Sequence, residues 1–230
     1  MADLNLSPFA PGPNDTPEAG LYAGNARELM HDVPDHSIDC IFTDPVYGNT
    51  EDYEWLAREA ARVLKKNRAC LAFASKVRLC ECRAAMDEHL SYRTTLYYTV
   101  IAKQARPARG QGVIPWTTPC LVYASGVYQC KPFIPDTYVS EKPPLATFGW
   151  QKNTGVAIKW IEAHNRHGGV VLDPFCGSGS FLIAAQALGM PFLGFEIDYR
   201  RATKARKRIR AQPPLFTLRS AEQVALFREE

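Results

Sequence analysis

Between Leu21 and Arg210 short apolar runs, half of them closed by an acid, alternate with stretches of helical period. That alternation restricts the chain to a sheet whose strands are linked by helices. Ile38-Asp39-Cys40-Ile41-Phe42-Thr43, closed by Asp44-Pro45, reads as a buried strand. Further strands are expected over 69–74, 92–102, 119–124, 170–172 and 191–195. Helices are expected over 52–64, 77–89, 154–165, 179–188 and 199–210. The expected fold is α/β: a Rossmann-like, doubly wound, mostly parallel sheet whose ligands sit at the carboxyl ends of its strands.

The 230 residues suffice for one such domain, expected over 21–215. Residues 1–20 carry Pro8, Pro11, Pro13 and Pro17 with no hydrophobic period and read as a disordered arm; 216–230 read as a tail. With 46% hydrophobic and 22% charged residues the composition is that of a soluble globular protein. No apolar run reaches the ~18 residues of a membrane span, so a cytoplasmic protein without membrane contact is expected. The seven cysteines form no CxxC pair and no zinc spacing, and are expected to be reduced and mostly buried, with no metal site.

Two segments carry the chemistry. The strand at 169–172 runs into Asp173-Pro174-Phe175-Cys176-Gly177-Ser178-Gly179-Ser180 and then a helix. Its glycines permit a tight turn and close backbone approach, beside the unpaired N–H groups of a helix start. Glu196 ends the next strand, where a carboxylate can accept both hydroxyls of a ribose. A dinucleotide is one candidate ligand, but Leu182 stands where the third glycine of its fingerprint would be. A cationic nucleoside without phosphates, S-adenosylmethionine, suits the acid of this turn better. A ligand-free glycine turn is the third reading. The second segment is Asp44-Pro45-Val46-Tyr47, a plausible simple turn whose acid nonetheless sits at the carboxyl end of a buried strand.

Taken together these segments resemble the amino (N6-adenine or N4-cytosine) DNA methyltransferases, in the permuted class whose catalytic motif precedes its cofactor motif. The resemblance rests on Leu21–Asn25, on 34–53, 61–75 and 169–198, and on Gln151-Lys152 as a Q-K-P-like element. It covers a catalytic half, 21–125, and a cofactor half, 150–210, with 103–150 as a variable segment that could read the target. Val46, Asn153 and Asn25 stand where the family has proline, proline and an acid. The resemblance implies S-adenosyl-L-methionine as cofactor, held by Asp173, Pro174, Phe175, Cys176, Gly177, Ser178, Gly179, Glu196, Ile197, Lys152 and Asp44. It implies Asp44, Pro45 and Tyr47 as catalytic residues acting on the amino group of a flipped-out base of double-stranded DNA, and often a homodimer.

Chemistry supports those roles. An exocyclic amine has its lone pair delocalised into the ring, and two acceptors, the Asp44 carboxylate and the Pro45 carbonyl, would hold its N–H groups and free the lone pair. Tyr47 would stack on the base. Within the family an opening aspartate favours adenine N6 over cytosine N4. RNA methylation and a catalytically impaired cofactor- or DNA-binding relic are the alternatives. Pro119-Cys120 superficially resembles the thiol nucleophile of cytosine-C5 enzymes, but an apolar strand surrounds it, so an inert core thiol is expected. Lys103, Arg106 and Arg109, with Trp116, form a basic stretch suited to phosphate contact with one stacking residue; a solvated loop explains them equally. A second basic run, from Arg200 to Arg210, is expected to spread around its helix.

Overall fold

The computed structural model describes residues 20–101, 116–128, 130, 133–140, 152–165 and 168–212. Its frame is an eight-stranded sheet: β1 (Leu21–Ala23), β2 (Ile38–Thr43), β3 (Leu64–Phe73), β4 (Ser91–Val100), β5 (Thr117–Ala124), β6 (Thr137–Ser140), β7 (Val171–Asp173) and β8 (Phe192–Glu196). The spatial order is β1-β8-β7-β2-β3-β5-β4-β6. All pairings are parallel except those of β5, which runs antiparallel to both β3 and β4. β5 follows β4 with no helix between them in the expected pattern, and only antiparallel neighbours can be joined without a crossover.

Among the described residues six α-helices cover the sheet: α1 (Ala26–Leu29), α2 (Thr50–Val63), α3 (Leu79–Asp87), α4 (Thr154–His164), α5 (Ser180–Ala187) and α6 (Tyr199–Ala211). Side-chain alternation along the central strands feeds two cores. Ile41, Cys70, Leu121 and Tyr123 face one layer with Tyr53, Leu56 and Met86. Phe42, Leu71, Phe73 and Val122 face the other with Trp160 and Phe181. Phe42 stacks on Phe181 at 4.2 Å between centroids and 3° between planes. Both faces of the sheet being buried explains why its strands read as apolar runs instead of alternating ones.

The expected fold class agrees with this architecture, while several boundaries move. β3 begins at Leu64, five residues before the expected 69, because the chain passes directly from α2 into a strand through the lysines. The expected helix 77–89 contracts to Leu79–Asp87, and the expected strand 92–102 becomes Ser91–Val100. The short β1 and α1 had no separate signal, and β6 lies inside the variable segment 103–150, where no strand after 119–124 was expected and four residues pair with β4. The expected arm, the tail and most of 103–150 lie outside the described residues. Among the described residues no helix is long and apolar enough to cross a membrane.

Cys40, Cys70, Cys82, Cys120 and Cys176 are buried, Cys130 is half-buried and Cys80 is exposed. Cys120 is fully enclosed, and burial holds its thiol well above the usual range, which leaves it a protonated core group. The basic run of α6 does not simply spread over the surface. Arg206 is buried and donates to the Leu21 carbonyl through Nε and Nη2 at 3.2 and 2.9 Å, and Arg208 donates to the Ser178 carbonyl. Two of its cations therefore tie helix to sheet and turn.

Candidate active site

β7 and β2 lie side by side, and the chain leaves them in opposite directions: β7 leads through α5 to β8, β2 through α2 to β3. That divergence opens a crevice beyond their carboxyl ends. A cavity of about 1020 Å³ occupies it, lined by the two motif segments together with Asn25, Arg27, Asp52 and Lys152. The volume lies at the upper limit of the range common for one small-molecule ligand, about 300–1,000 Å³.

On the β7 side, Asp173 ends the strand and is buried. Its Oδ1 accepts from the Thr43 hydroxyl at 2.7 Å and from the Phe175 N–H at 3.2 Å. Burial pushes the carboxyl up to about 8 against the pull of those two hydrogen bonds, with the Asp44 and Glu196 carboxylates adding to the rise. Gly177 and Gly179 both adopt left-handed backbone, at φ +50 and +76, and Gly179 caps α5. A Cβ on Gly179 would lie 3.3 Å from that of Ala205, so the turn needs Gly179 for conformation and space and Gly177 for conformation. Cys176 packs with Leu21, Leu182 and Ala205 behind the turn. Pro174, Phe175, Cys176, Gly177 and Ser178 all line the cavity; Gly179 supports them from behind.

Glu196 is buried at the end of β8, and its Oε1 accepts from the Asp198 N–H at 2.9 Å. Oε2 has no hydrogen-bond partner among the described residues and remains available to a diol. Ile197 reaches the cavity wall from an exposed position.

On the β2 side, Asp44, Pro45, Val46 and Tyr47 all line the cavity. Asp44 Oδ1 is buried and has no hydrogen-bond partner among the described residues. Its Oδ2 lies 3.0 Å from Lys152 Nζ, which also donates to the Tyr47 hydroxyl at 2.7 Å. Burial, together with the Asp44 carboxylate, pushes the Tyr47 phenol far above its usual range, so it remains neutral. Val46, in place of proline, is largely exposed, and the loop is held instead by the Asn49 N–H to the Val46 carbonyl (3.1 Å) and by Arg78 to the Gly48 carbonyl (2.7 Å). Asn153 and Asn25 cap α4 and α1, accepting from the Gly155 and Arg27 N–H groups at 2.6 and 3.0 Å. Both departures from the family pattern thus serve as helix starts.

Of the residues singled out in sequence, those of the two motifs and Lys152 meet around this cavity. Trp116 is half-exposed just before β5, away from the cavity lining. Lys103, Arg106 and Arg109 lie outside the described residues. Sequence reasoning missed two further lining residues, Arg27 and Asp52, which pair at 2.9 Å, with Arg27 5.3 Å from the Trp55 ring centroid. No spacing rule connects residues 27 and 52.

The DNA methylase family model of the N6/N4 type matches residues 117–207. Curated relatives include the type II methyltransferase M.BamHI of Bacillus amyloliquefaciens, 24% identical over 81% of this chain and 56% of that protein. YubD of Escherichia coli K12, named as a methylase, is 27% identical over 80% of this chain and 87% of its own. A tRNA (guanine(10)-N2)-dimethyltransferase of Methanocaldococcus jannaschii matches over 41 residues only, at 49% identity, 18% of this chain and 12% of that protein. The chain thus spans about an eighth and about half the length of two of these relatives and most of the third. Among solved structures, the complex of M1.HpyAVI with SAM superposes with TM-score 0.68 at 23% identity over 82% of this chain and 98% of that one. The cytosine-N4-specific PvuII DNA methyltransferase superposes with TM-score 0.69 at 14% identity over 81% and 84%. The fold is that of the SAM-dependent DNA methyltransferases.

Proposed function

From a chain that matches the N6/N4 DNA methylase family and has its fold, we propose that this protein is an amino-methyltransferase, moving a methyl group from S-adenosylmethionine to the exocyclic amine of a DNA base, adenine N6 first. The observation that carries this reading is Asp44 Oδ1, a buried carboxylate oxygen without a partner among the described residues, in the wall of a cavity that is also lined by the β7 glycine turn and Glu196. A buried acceptor left unsatisfied costs about 1–3 kcal/mol, and a ligand N–H removes that cost.

The cofactor fits the residues present. Glu196 offers carboxylate oxygen to ribose hydroxyls, Asp173 and Asp44 balance a cationic ligand, and the glycine turn brings backbone close without a phosphate. When bound, S-adenosylmethionine supplies a methyl on a sulfonium sulfur, whose C–S electron pair stays with sulfur as the new N–C bond forms.

The residues of the chain then act on the nucleophile. Asp44 Oδ1 and the Pro45 carbonyl accept the two amine N–H groups, which favours a pyramidal nitrogen with its lone pair free. The methylated nitrogen carries a positive charge until one proton leaves, and Asp44 is the acceptor in reach. Tyr47, held neutral, offers a ring face to the base. Because Asp44 Oδ1 is buried within the cavity, the target must leave the helix stack to reach it. Positioning and charge do most of this work. Cytosine N4 poses the same chemical problem, and the likeness to the cytosine-N4-specific PvuII enzyme supports it as the second reading.

The test is tritiated methyl incorporation from S-adenosylmethionine into unmethylated duplex DNA and into RNA, with nucleoside analysis of the product. N6-methyladenine in DNA is expected, and Asp44→Ala should abolish incorporation while cofactor binding persists. N4-methylcytosine would select the second reading. Label in RNA alone, or cofactor binding without transfer, would refute the proposal.

A further inference from the structure

Lys152 makes contacts that cofactor binding does not explain. It precedes α4, yet its ammonium reaches 108 positions back along the chain to Asp44 Oδ2 at 3.0 Å and donates to the Tyr47 hydroxyl at 2.7 Å. It lies 4.7 Å from the Phe73 ring centroid and 5.2 Å from that of Tyr47, and its side chain is 16% exposed. A lysine enclosed by two aromatic rings has few rotamers left, so its charge is fixed in place. Asp44 has two chemically equivalent oxygens. With Oδ2 occupied, Oδ1 is the one left without a partner among the described residues.

We propose that Lys152 is a positioning residue for methyl transfer: by holding Asp44 Oδ2 and the Tyr47 hydroxyl together, it aims Asp44 Oδ1 at the substrate amine and acts through Asp44 instead of through the cofactor. This rests on the amino-methyltransferase reading above. The groups around Asp44 agree with that division of labour. Tyr47, Tyr53, Cys120 and Asp173 all feel the Asp44 charge, and none of them is a cation. Lys76, just beyond the end of β3, is pushed down by its own burial and by Lys152. Among the described residues the cation that pairs with Asp44 is Lys152, and the aiming falls to it.

The experiment measures single-turnover methyl transfer to DNA and S-adenosylmethionine affinity for wild type, Lys152→Ala, Lys152→Met, Asp44→Asn and the Asp44→Asn/Lys152→Ala pair. Misaiming a catalytic group by about 1 Å costs on the order of 10²-fold in rate. Lys152→Ala should lose about that factor at saturating cofactor, with cofactor Kd within about twofold of wild type. Added n-propylammonium should restore part of the rate, and tetramethylammonium at equal ionic strength should not. In the Asp44→Asn background, removing Lys152 should cost little more, because its route of action is already gone. Lys152→Met preserves the packing on Phe73 if the alanine variant folds poorly. An unchanged transfer rate, or a rate restored simply by raising the cofactor concentration, would overturn the inference while wild-type turnover left the reading of function standing. A wild-type protein that binds cofactor and methylates no nucleic acid would overturn both.

Discussion

Asp173 makes cofactor binding depend on pH in a direction the site dictates. In the free protein burial and the Asp44 and Glu196 carboxylates hold it protonated up to about 8. An Asp in an unfolded chain ionises near 3.9. Because the folded value is raised, this group's contribution to stability is fully present below about 4 and is lost as pH rises through about 8. A cationic ligand reverses the local balance, since a positive charge in the cavity favours the carboxylate. Below pH 8 binding then favours release of a proton, and affinity should rise by up to about tenfold per pH unit as pH approaches 8, then level off. Tenfold in Kd is about 1.4 kcal/mol. At fixed, saturating cofactor the gain appears as a widening Tm gap between loaded and free protein at the same pH, worth about 3–5 °C per pH unit for a chain of this size.

The assay is calorimetric Kd from about pH 6.5 to 9, a window spanning the folded value, with S-adenosylhomocysteine as comparator. This demethylated product shares the ligand's amino group but lacks the sulfonium, so the ratio of the two Kd values removes titration of the amino group and keeps the proton release that the sulfonium charge drives. Asp173→Asn should flatten that ratio across the range. A ratio independent of pH in the wild type, or a slope that survives Asp173→Asn, would refute the assignment of the proton to Asp173.

Three further outcomes are expected. Phe42→Ala removes the ring stacked on Phe181 and packed against Phe73 and Trp160, and should cost about 3–5 kcal/mol in denaturant unfolding. Arg206→Ala deprives the Leu21 carbonyl of two donors and should cost about 1–3 kcal/mol. Its exposed neighbour Lys207, changed to Ala, should stay within about 0.5 kcal/mol in the same measurement. Reversing Lys103, Arg106 and Arg109 to Glu should reduce the slope of log K against log salt for DNA binding, by about one unit for each phosphate no longer neutralised; an unaltered slope would make 103–109 a solvated segment.

Much of the fold was legible because buried parallel strands and amphipathic helices leave local signatures. Ile38–Thr43 was found to the residue, since an apolar run ended by Asp-Pro admits few other readings. β6 was not, because four residues of a proline-rich passage carry no period and become a strand only where β4 presents a free edge. Arg206 read as one more surface cation, since a buried guanidinium looks the same in sequence as a solvated one until its acceptor is in place.

By itself, the sequence determined that strands and helices alternate, that a glycine turn follows one strand and that Asp-Pro-Val-Tyr follows another. Those are local facts, written in periodicity and turn chemistry. Only the tertiary structure decided that β7 and β2 are neighbours, so that Asp173 and Asp44 share one cavity, and that Lys152 occupies one oxygen of Asp44 and leaves the other without a partner among the described residues. Contacts between residues more than a hundred positions apart follow from strand order, and strand order comes from the packing of the whole sheet, which no single segment encodes.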